Sequence, residues 1–290
     1  MLKPILVCGT GRGGTTLLMQ LFATSLRIAM HRKYVYEHCY YRYLLEWAAL
    51  PLHERWASEH WNVGSLVFPA TGSLNAGLMG PFPWSQRDLV GDAQALSRAW
   101  FRAAWCEFSR VAAQQTGAPS GQPVSYYAEK CDGVWTLTGV DWIPVKTVAL
   151  VRDPRDVWLS ILAFDTKRGY HGFGRHVGEP EAQYLDRFLE EQRQHLTWAR
   201  SILASDQARV IYYESMATDL SEVARRLERW LGVHLDPHKV ARERETFSHH
   251  LTTSSAAASV ERWRDELSDA RRMLFGERLA VELRAHGYEP

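Results

Sequence analysis

Short apolar runs recur along the chain, and each gives way to glycine-rich or charged residues before a helical pattern takes over. Residues 4–8 (PILVC) are continuously apolar, the mark of a strand buried on both faces. Residues 15–28 have helical spacing, with Leu17, Leu18, Leu21 and Phe22 on one face. Residues 33–36 form a weaker strand candidate. From 51 to 92 the chain is rich in Pro, Gly and Trp without a period, which predicts a long irregular excursion over the core. Residues 93–116 read as an amphipathic helix, and a Gly/Pro/Ser stretch at 117–123 leads into a strand at 124–128. The best strand is 145–151 (VKTVALV). Asp153 then supplies an N-cap and Pro154 the first helical position of a helix reaching about Phe164. A helix over 183–204, a strand over 208–213 and a helix over 220–231 follow. A Ser/Ala-rich loop at 252–259 precedes a helical C-terminal part.

Strands alternating with helices predict an α/β protein: one domain over 1–290, with three layers (α/β/α) and a mostly parallel sheet. In such sheets ligands bind beyond the carboxyl ends of the strands. The residues that fall there are Gly9 to Thr16, Glu37, Glu129-Lys130, Arg152 and Tyr213-Glu214. Five polar clusters spread over some 200 positions are thereby predicted to share one edge.

Composition narrows the chemistry. Apolar residues make up 46% of the 290 and charged ones 23%, and the formal net charge is +1, so no global field draws nucleic acid or a membrane. An anionic ligand must be held by a local cluster. The four cysteines lack metal or disulfide spacing and read as reduced packing residues of a cytoplasmic protein. The first apolar run is too short for a signal or membrane segment. His171 with His176, and His249-His250, lack the helical spacing of a zinc site, and no metal is expected.

The stretch CGTGRGGTT, residues 8–16, has glycines at 9 and 14 with the separation of a phosphate-binding loop. Thr15, however, stands where nucleoside triphosphatases carry lysine. Backbone amides and the dipole of the helix that follows make an anion nest, and Arg12 adds a planar cationic fork. Phosphoryl transfer normally relies on a loop lysine and Mg²⁺, and no apolar strand ends in an Asp suited to Mg²⁺. A sulfuryl group carries one fewer negative charge, so protein cations alone can serve it.

PILVCGTGRGGTTLL together with VALVRDPRDVWLS resembles the sulfotransferase family that uses 3′-phosphoadenosine 5′-phosphosulfate (PAPS), whose fold is similar to that of the P-loop NTPases. The resemblance implies that Arg12, Gly13, Gly14, Thr15 and Thr16 grip the 5′-phosphosulfate, and that Arg152 and Ser160 hold the 3′-phosphate. VIYYESM is similar to a segment that places Tyr213 near adenine, although Ser215 and Met216 replace the usual acid and Leu. SVERWRDELSD resembles a stretch whose Arg262 and Trp263 approach the cofactor phosphates, with 252–265 covering the nucleotide. YYAEKCDGVW is similar to a segment in which Lys130 donates to the transferring group, although Cys131 and Asp132 replace Thr-Pro. Glu37, about twenty residues past the loop, matches the general base of members acting on sugars or tyrosyl groups, with His38 second. Aromatic neighbours are expected to desolvate Glu37, which suits a base.

The expected reaction is in-line attack of a hydroxyl on PAPS, with Glu37 as base and adenosine 3′,5′-bisphosphate as product. The acceptor, a sugar, a phenol or tyrosyl group or another small metabolite, stays open, as does an oligomer. Trp56, Trp61, Phe68, Phe82 and Trp84 would either wall the acceptor or only cap the sheet. Two alternatives remain. An ATP- and metal-dependent small-molecule kinase is opposed by Thr15, and a non-catalytic nucleotide-binding scaffold by Glu37 together with Lys130. Each residue also has a purely structural reading: Glu37 paired with Arg32, Lys33 or Arg42, Arg152 with Asp153 or Asp156, and Lys130 with Glu129 or Asp132.

Overall fold

The apolar runs fold into five parallel strands in a computed structural model that describes residues 1–33, 35–49, 92–117, 122–131, 142–243 and 252–290. The strands are β1 (Lys3–Cys8), β2 (Ile28–Ala29), β3 (Tyr126–Cys131), β4 (Lys146–Val151) and β5 (Ala208–Tyr212), in the order β2-β3-β1-β4-β5. Between and after them lie α1 (Thr15–Ala23), α2 (Tyr40–Ala48), α3 (Ala93–Thr116), α4 (Pro154–Arg168), α5 (Glu181–Ser201), α6 (Tyr213–Thr218), α7 (Leu220–Leu231), α8 (Pro237–Glu243), α9 (Trp263–Glu266) and α10 (Asp269–Ala285).

Alternation along the strands divides the core into layers. Ile5 and Val7 pack with Leu18, Leu21 and Phe22 of α1 and Leu227 of α7. Leu6 and Cys8 face the other way, onto Tyr41 and Leu45 of α2 and Phe101 and Trp105 of α3. Likewise Val148 and Leu150 join the first layer, whereas Ala149 and Val151 pack against Leu196 and Ala199 of α5. The sheet is therefore covered on both faces, the α/β architecture the pattern implies. Among the described residues, no helix is long and apolar enough to cross a membrane.

Several boundaries differ from expectation. Helix α1 stops at Ala23 rather than 28, because the Thr24 hydroxyl bonds back to the Leu21 carbonyl at 2.7 Å and competes with the next helical turn. The second strand is then Ile28–Ala29 and not 33–36, where Tyr36 sits at φ 64°, outside any strand conformation. Strand β3 runs three residues beyond the expected end, so Glu129 and Lys130 lie within it. Tyr213 opens a helix rather than closing a strand. Helices α3 and α7 have the expected bounds. The excursion at 51–92 lies outside the described residues except for Asp92, whose carboxylate caps α3 through the amides of Gln94 and Ala95.

Candidate active site

Strand β1 lies in the middle of the sheet, so the loop that follows it opens between the ends of β3 and β4, where the chain order switches direction. The loop is tight: the Gly13 amide donates to the Thr10 carbonyl at 2.9 Å, Arg12 sits at φ 64° and Gly14 at φ 99°. A side chain at Gly14 would run into the ring of Tyr213. Helix α1 begins at once, with no side-chain cap and no acidic residue in its first turn, which suits an anion at its N-terminus.

Two groups of side chains meet at this loop. On the β3 side, Lys130 Nζ lies 2.9 Å from Thr16 Oγ1, to which it donates, and 3.6 Å from Glu37 Oε1. Residues separated by more than a hundred positions thus form one contact set. Glu129, beside Lys130 in the strand, turns away: its carboxylate is buried and accepts the amides of Tyr41 and Arg42. Burial lifts its pKa to about 7 despite these two bonds.

On the β4 side, Arg152 is almost fully buried. Its guanidinium donates to the carbonyls of Arg12 at 2.9 Å and Ser259 at 2.8 Å, and it lies over the Tyr213 ring at 4.2 Å. Its Nε is buried without a partner. Arg12 Nε in turn donates to Ser160 Oγ at 3.1 Å, with its guanidinium over Phe164. Arg12, expected at the far end of the nucleotide from Ser160, therefore bridges to it. Neither Asp153 nor Asp156 pairs with Arg152. Asp153 holds Arg155 at 2.8 Å, and Asp156 accepts the amides of Glu261 and Trp263.

A cavity of about 1100 Å³ joins the two groups. Arg12, Gly14, Thr15, Thr16, Glu37, Lys130, Arg152, Ser160 and Tyr213 all line it, while Gly13, His38, Arg262 and Trp263 do not. The His38 ring meets His31 at a tilt instead, with centroids 3.8 Å apart. The Arg262 guanidinium is engaged by Glu266, and Trp263 is buried beneath Arg155. The side chain of Glu37 is 68% exposed, so the aromatic desolvation expected of it is absent. Its partner is Lys130 rather than Arg32, Lys33 or Arg42.

Some cavity residues had no place in the sequence reading. Phe164 and Arg168 repeat the face of Ser160 at one and two further turns of α4, a spacing that was there to be found. Thr252 and Ser259, by contrast, belong to the 252–265 segment expected to cover the nucleotide, and there Ser259 Oγ meets Tyr213 OH at 2.7 Å. Among the described residues, no group of three His, Cys, Asp or Glu side chains could hold a metal. His249 and His250, Asp132, and the five aromatics at 56–84 lie outside the described residues.

Comparison with known proteins agrees with this geometry. Residues 142–277, from the approach to β4 into α10, match the family model described as the sulfotransferase domain. Among curated proteins no sequence match was found. The sulfotransferase domain of the Synechococcus PCC 7002 olefin synthase superposes with a TM-score of 0.55 at 16% identity, covering 100% of this chain and 96% of that one. The sulfotransferase domain from the curacin biosynthetic pathway gives 0.52 at 15%, covering 100% and 99%. Sulfotransferase STF9 from Mycobacterium avium gives 0.50 at 14%, covering 99% and 78%. At such identities the likeness is one of fold, but it spans the whole chain, including the glycine loop that the family model leaves out. A lysine-free glycine loop and the segment from Arg152 to Ser160 thus sit on a sheet with the sulfotransferase fold, and residues 142–277 of the chain match the sulfotransferase domain.

Proposed function

We propose that the chain, acting as one domain, transfers the sulfuryl group of PAPS to a hydroxyl of a sugar, a phenol or tyrosyl group, or another small metabolite. The carrying observation is the Glu37–Lys130–Thr16 contact set, which joins a carboxylate and a cation directly to the phosphate loop. The residues present fit such a donor. A buried guanidinium with an unpartnered Nε, a loop whose crowding excludes any Cβ at Gly14, and an uncapped helix N-terminus suit two phosphate-like ends.

When bound, the donor supplies the activated sulfuryl group. Everything else falls to the side chains. Arg152 and Ser160 hold one anionic end, and the amides of residues 13–16 the other. Tyr213 offers a ring under Arg152 to an adenine. Glu37, exposed at the mouth of the cavity, takes the acceptor proton. Lys130 neutralises charge that develops at the transferring group. Arg262 and Trp263 contribute by shaping the segment from 252 onward. The four cysteines, read as reduced packing residues, suit a cytoplasmic setting.

Calorimetry tests this reading. Adenosine 3′,5′-bisphosphate should bind tightly without a metal, and Glu37→Gln should retain that affinity while turnover, scored with radiolabelled PAPS against a hydroxyl library, falls at least about a hundredfold. Tight binding of ATP with Mg²⁺ and none of the bisphosphate would establish a kinase instead. Bisphosphate binding with no labelled product from any acceptor would favour a nucleotide-binding scaffold.

A further inference from the structure

Helix α2 begins two residues after His38, and the residue at its N-cap, Cys39, provides no side-chain cap. The first amides of such a helix need acceptors. They find them in the neighbouring strand: both oxygens of Glu129 are used, Oε2 by the Tyr41 amide at 2.8 Å and Oε1 by the Arg42 amide at 3.0 Å. Two further bonds stitch the same stretch to β3. Tyr127 OH donates to the His38 carbonyl at 3.4 Å, and Cys39 Sγ to the Lys130 carbonyl at 3.2 Å. The segment that carries Glu37 is thus tied to the strand that carries Lys130 by four contacts, and the two strongest belong to one carboxylate that is 1% exposed.

A carboxylate is costly to bury, and an apolar residue at 129 would fill the same space between sheet and helix. What an apolar residue could not do is hold the start of α2 at a set distance from β3. Glu37 itself has an exposed side chain, and the only ion pair described for it is the 3.6 Å contact with Lys130. Its position is therefore inherited from the backbone that follows it. We infer that Glu129 is the positioning residue that sets Glu37 against Lys130, acting as a remote N-cap for α2. The inference rests on the reading of Glu37 as the base, and the experiment separates the two.

Glu129→Gln keeps the shape but turns one of its two acceptors into a donor facing an amide, so at least one bond is lost. In the full chain, hydrogen exchange of the amides of Tyr41 and Arg42 should quicken at least about tenfold, as expected when a buried bond is removed. Turnover with PAPS, using p-nitrophenol and methyl glucoside as acceptors, should fall on the order of ten- to a hundredfold, a cost typical of a misplaced group. Affinity for adenosine 3′,5′-bisphosphate and KM for PAPS should stay within about twofold, because nothing in the Arg152 group is touched. The same substitution made on Glu37→Gln should cost nothing more, since a residue acting through Glu37 has nothing left to position. If the Gln variant does not accumulate as folded protein, Glu129→Asp carries the same comparison by withdrawing the charge one methylene. Unaltered exchange, unaltered turnover, or an equal loss in both backgrounds overturns the inference. Full turnover of Glu37→Gln alone instead removes Glu37 as the base, a different failure with a different signature.

Discussion

Gly14 provides a test of the site that needs no assumption about the acceptor. At φ 99° and ψ 10° it adopts a conformation that costs an L residue about 1–2 kcal/mol. In addition, a Cβ at this position would lie 2.9 Å from Tyr213 Cε2 and closer still to Cδ2, so the ring has to move by several tenths of an ångström. That ring is not free to yield. Its hydroxyl is bound to Ser259 Oγ at 2.7 Å, and Arg152 lies over its face at 4.2 Å. Displacing a well-packed ring costs about 1–3 kcal/mol. Gly14→Ala should therefore destabilise the protein by about 2–5 kcal/mol, a drop in Tm of roughly 4–20 °C at about 2–4 °C per kcal/mol. Because Tyr213 supports both Arg152 and Ser259, affinity for adenosine 3′,5′-bisphosphate should fall at least about tenfold, although no side-chain atom that could touch the ligand has been removed. Gly232→Ala is the control. It has the same left-handed penalty, at φ 67°, but open space around its Cβ, so it isolates the conformational cost, and the entropy lost by the unfolded chain cancels between the two variants. Scanning calorimetry for Tm and titration calorimetry for affinity are the assays. Equal Tm losses for the two variants, with bisphosphate affinity unchanged in Gly14→Ala, would refute the claim that loop, ring and guanidinium form one unit.

Arg152→Ala should weaken bisphosphate binding about ten- to a hundredfold, and weaken binding of the analogue without a 3′-phosphate by less, though measurably, because the same guanidinium holds the Arg12 carbonyl; equal losses by calorimetry would show that Arg152 is scaffold only. Asp156→Asn should quicken hydrogen exchange across residues 259–263 and speed bisphosphate release, since Asp156 accepts the amides of Glu261 and Trp263 at 2.7 and 3.0 Å; unchanged exchange there would count against its role as a fastening. Stability should also fall between about pH 4.5 and pH 7. Burial raises Glu129 to about 7 and Asp156 to about 6, so in this window the folded chain binds more protons than the unfolded one and each pH step favours unfolding. For Glu129 this amounts to at most roughly 3 kcal/mol. Urea titrations of wild type and Glu129→Gln at pH 5 and pH 7.5 check it: the wild type should lose more stability than the variant, and parallel losses would refute the assignment.

Much of this arrangement can be read from the residues. The alternation of strands and helices gives the sheet, the helices α3 and α7 have the bounds their periodicity implies, and the glycine loop lies at the end of a central strand. Strand β2 escapes because two residues, Ile28 and Ala29, are too few to show a period, and because the apolar spacing of α1 runs on through them. The extent of β3 is misjudged for a different reason. In a sheet covered on both faces alternation disappears, and Glu129-Lys130 looks like the polar start of a loop although five of the six residues of β3 are buried.

At the site itself the division is sharper. The side-chain contacts that assemble it, Arg12 with Ser160, Lys130 with Thr16 and Lys130 with Glu37, each join two residues that the sequence marks as chemical. The contacts that hold it in place are of another kind: Arg152 on the carbonyls of Arg12 and Ser259, Glu129 on the amides of Tyr41 and Arg42, Asp156 on those of Glu261 and Trp263. Every residue but proline offers the same amide and carbonyl, so the backbone end of such a bond leaves no trace in residue identity. Only the side-chain end is visible, and a lone Glu or Asp next to a Lys or Arg reads as a surface pair. Side chains suited to chemistry can thus be picked out by type and spacing, whereas those that tie the main chain in place need the fold before their purpose shows. Burial marks them: Glu129, Asp156 and Arg152 are each less than a tenth exposed, which a charged side chain sustains only when its bonds are made.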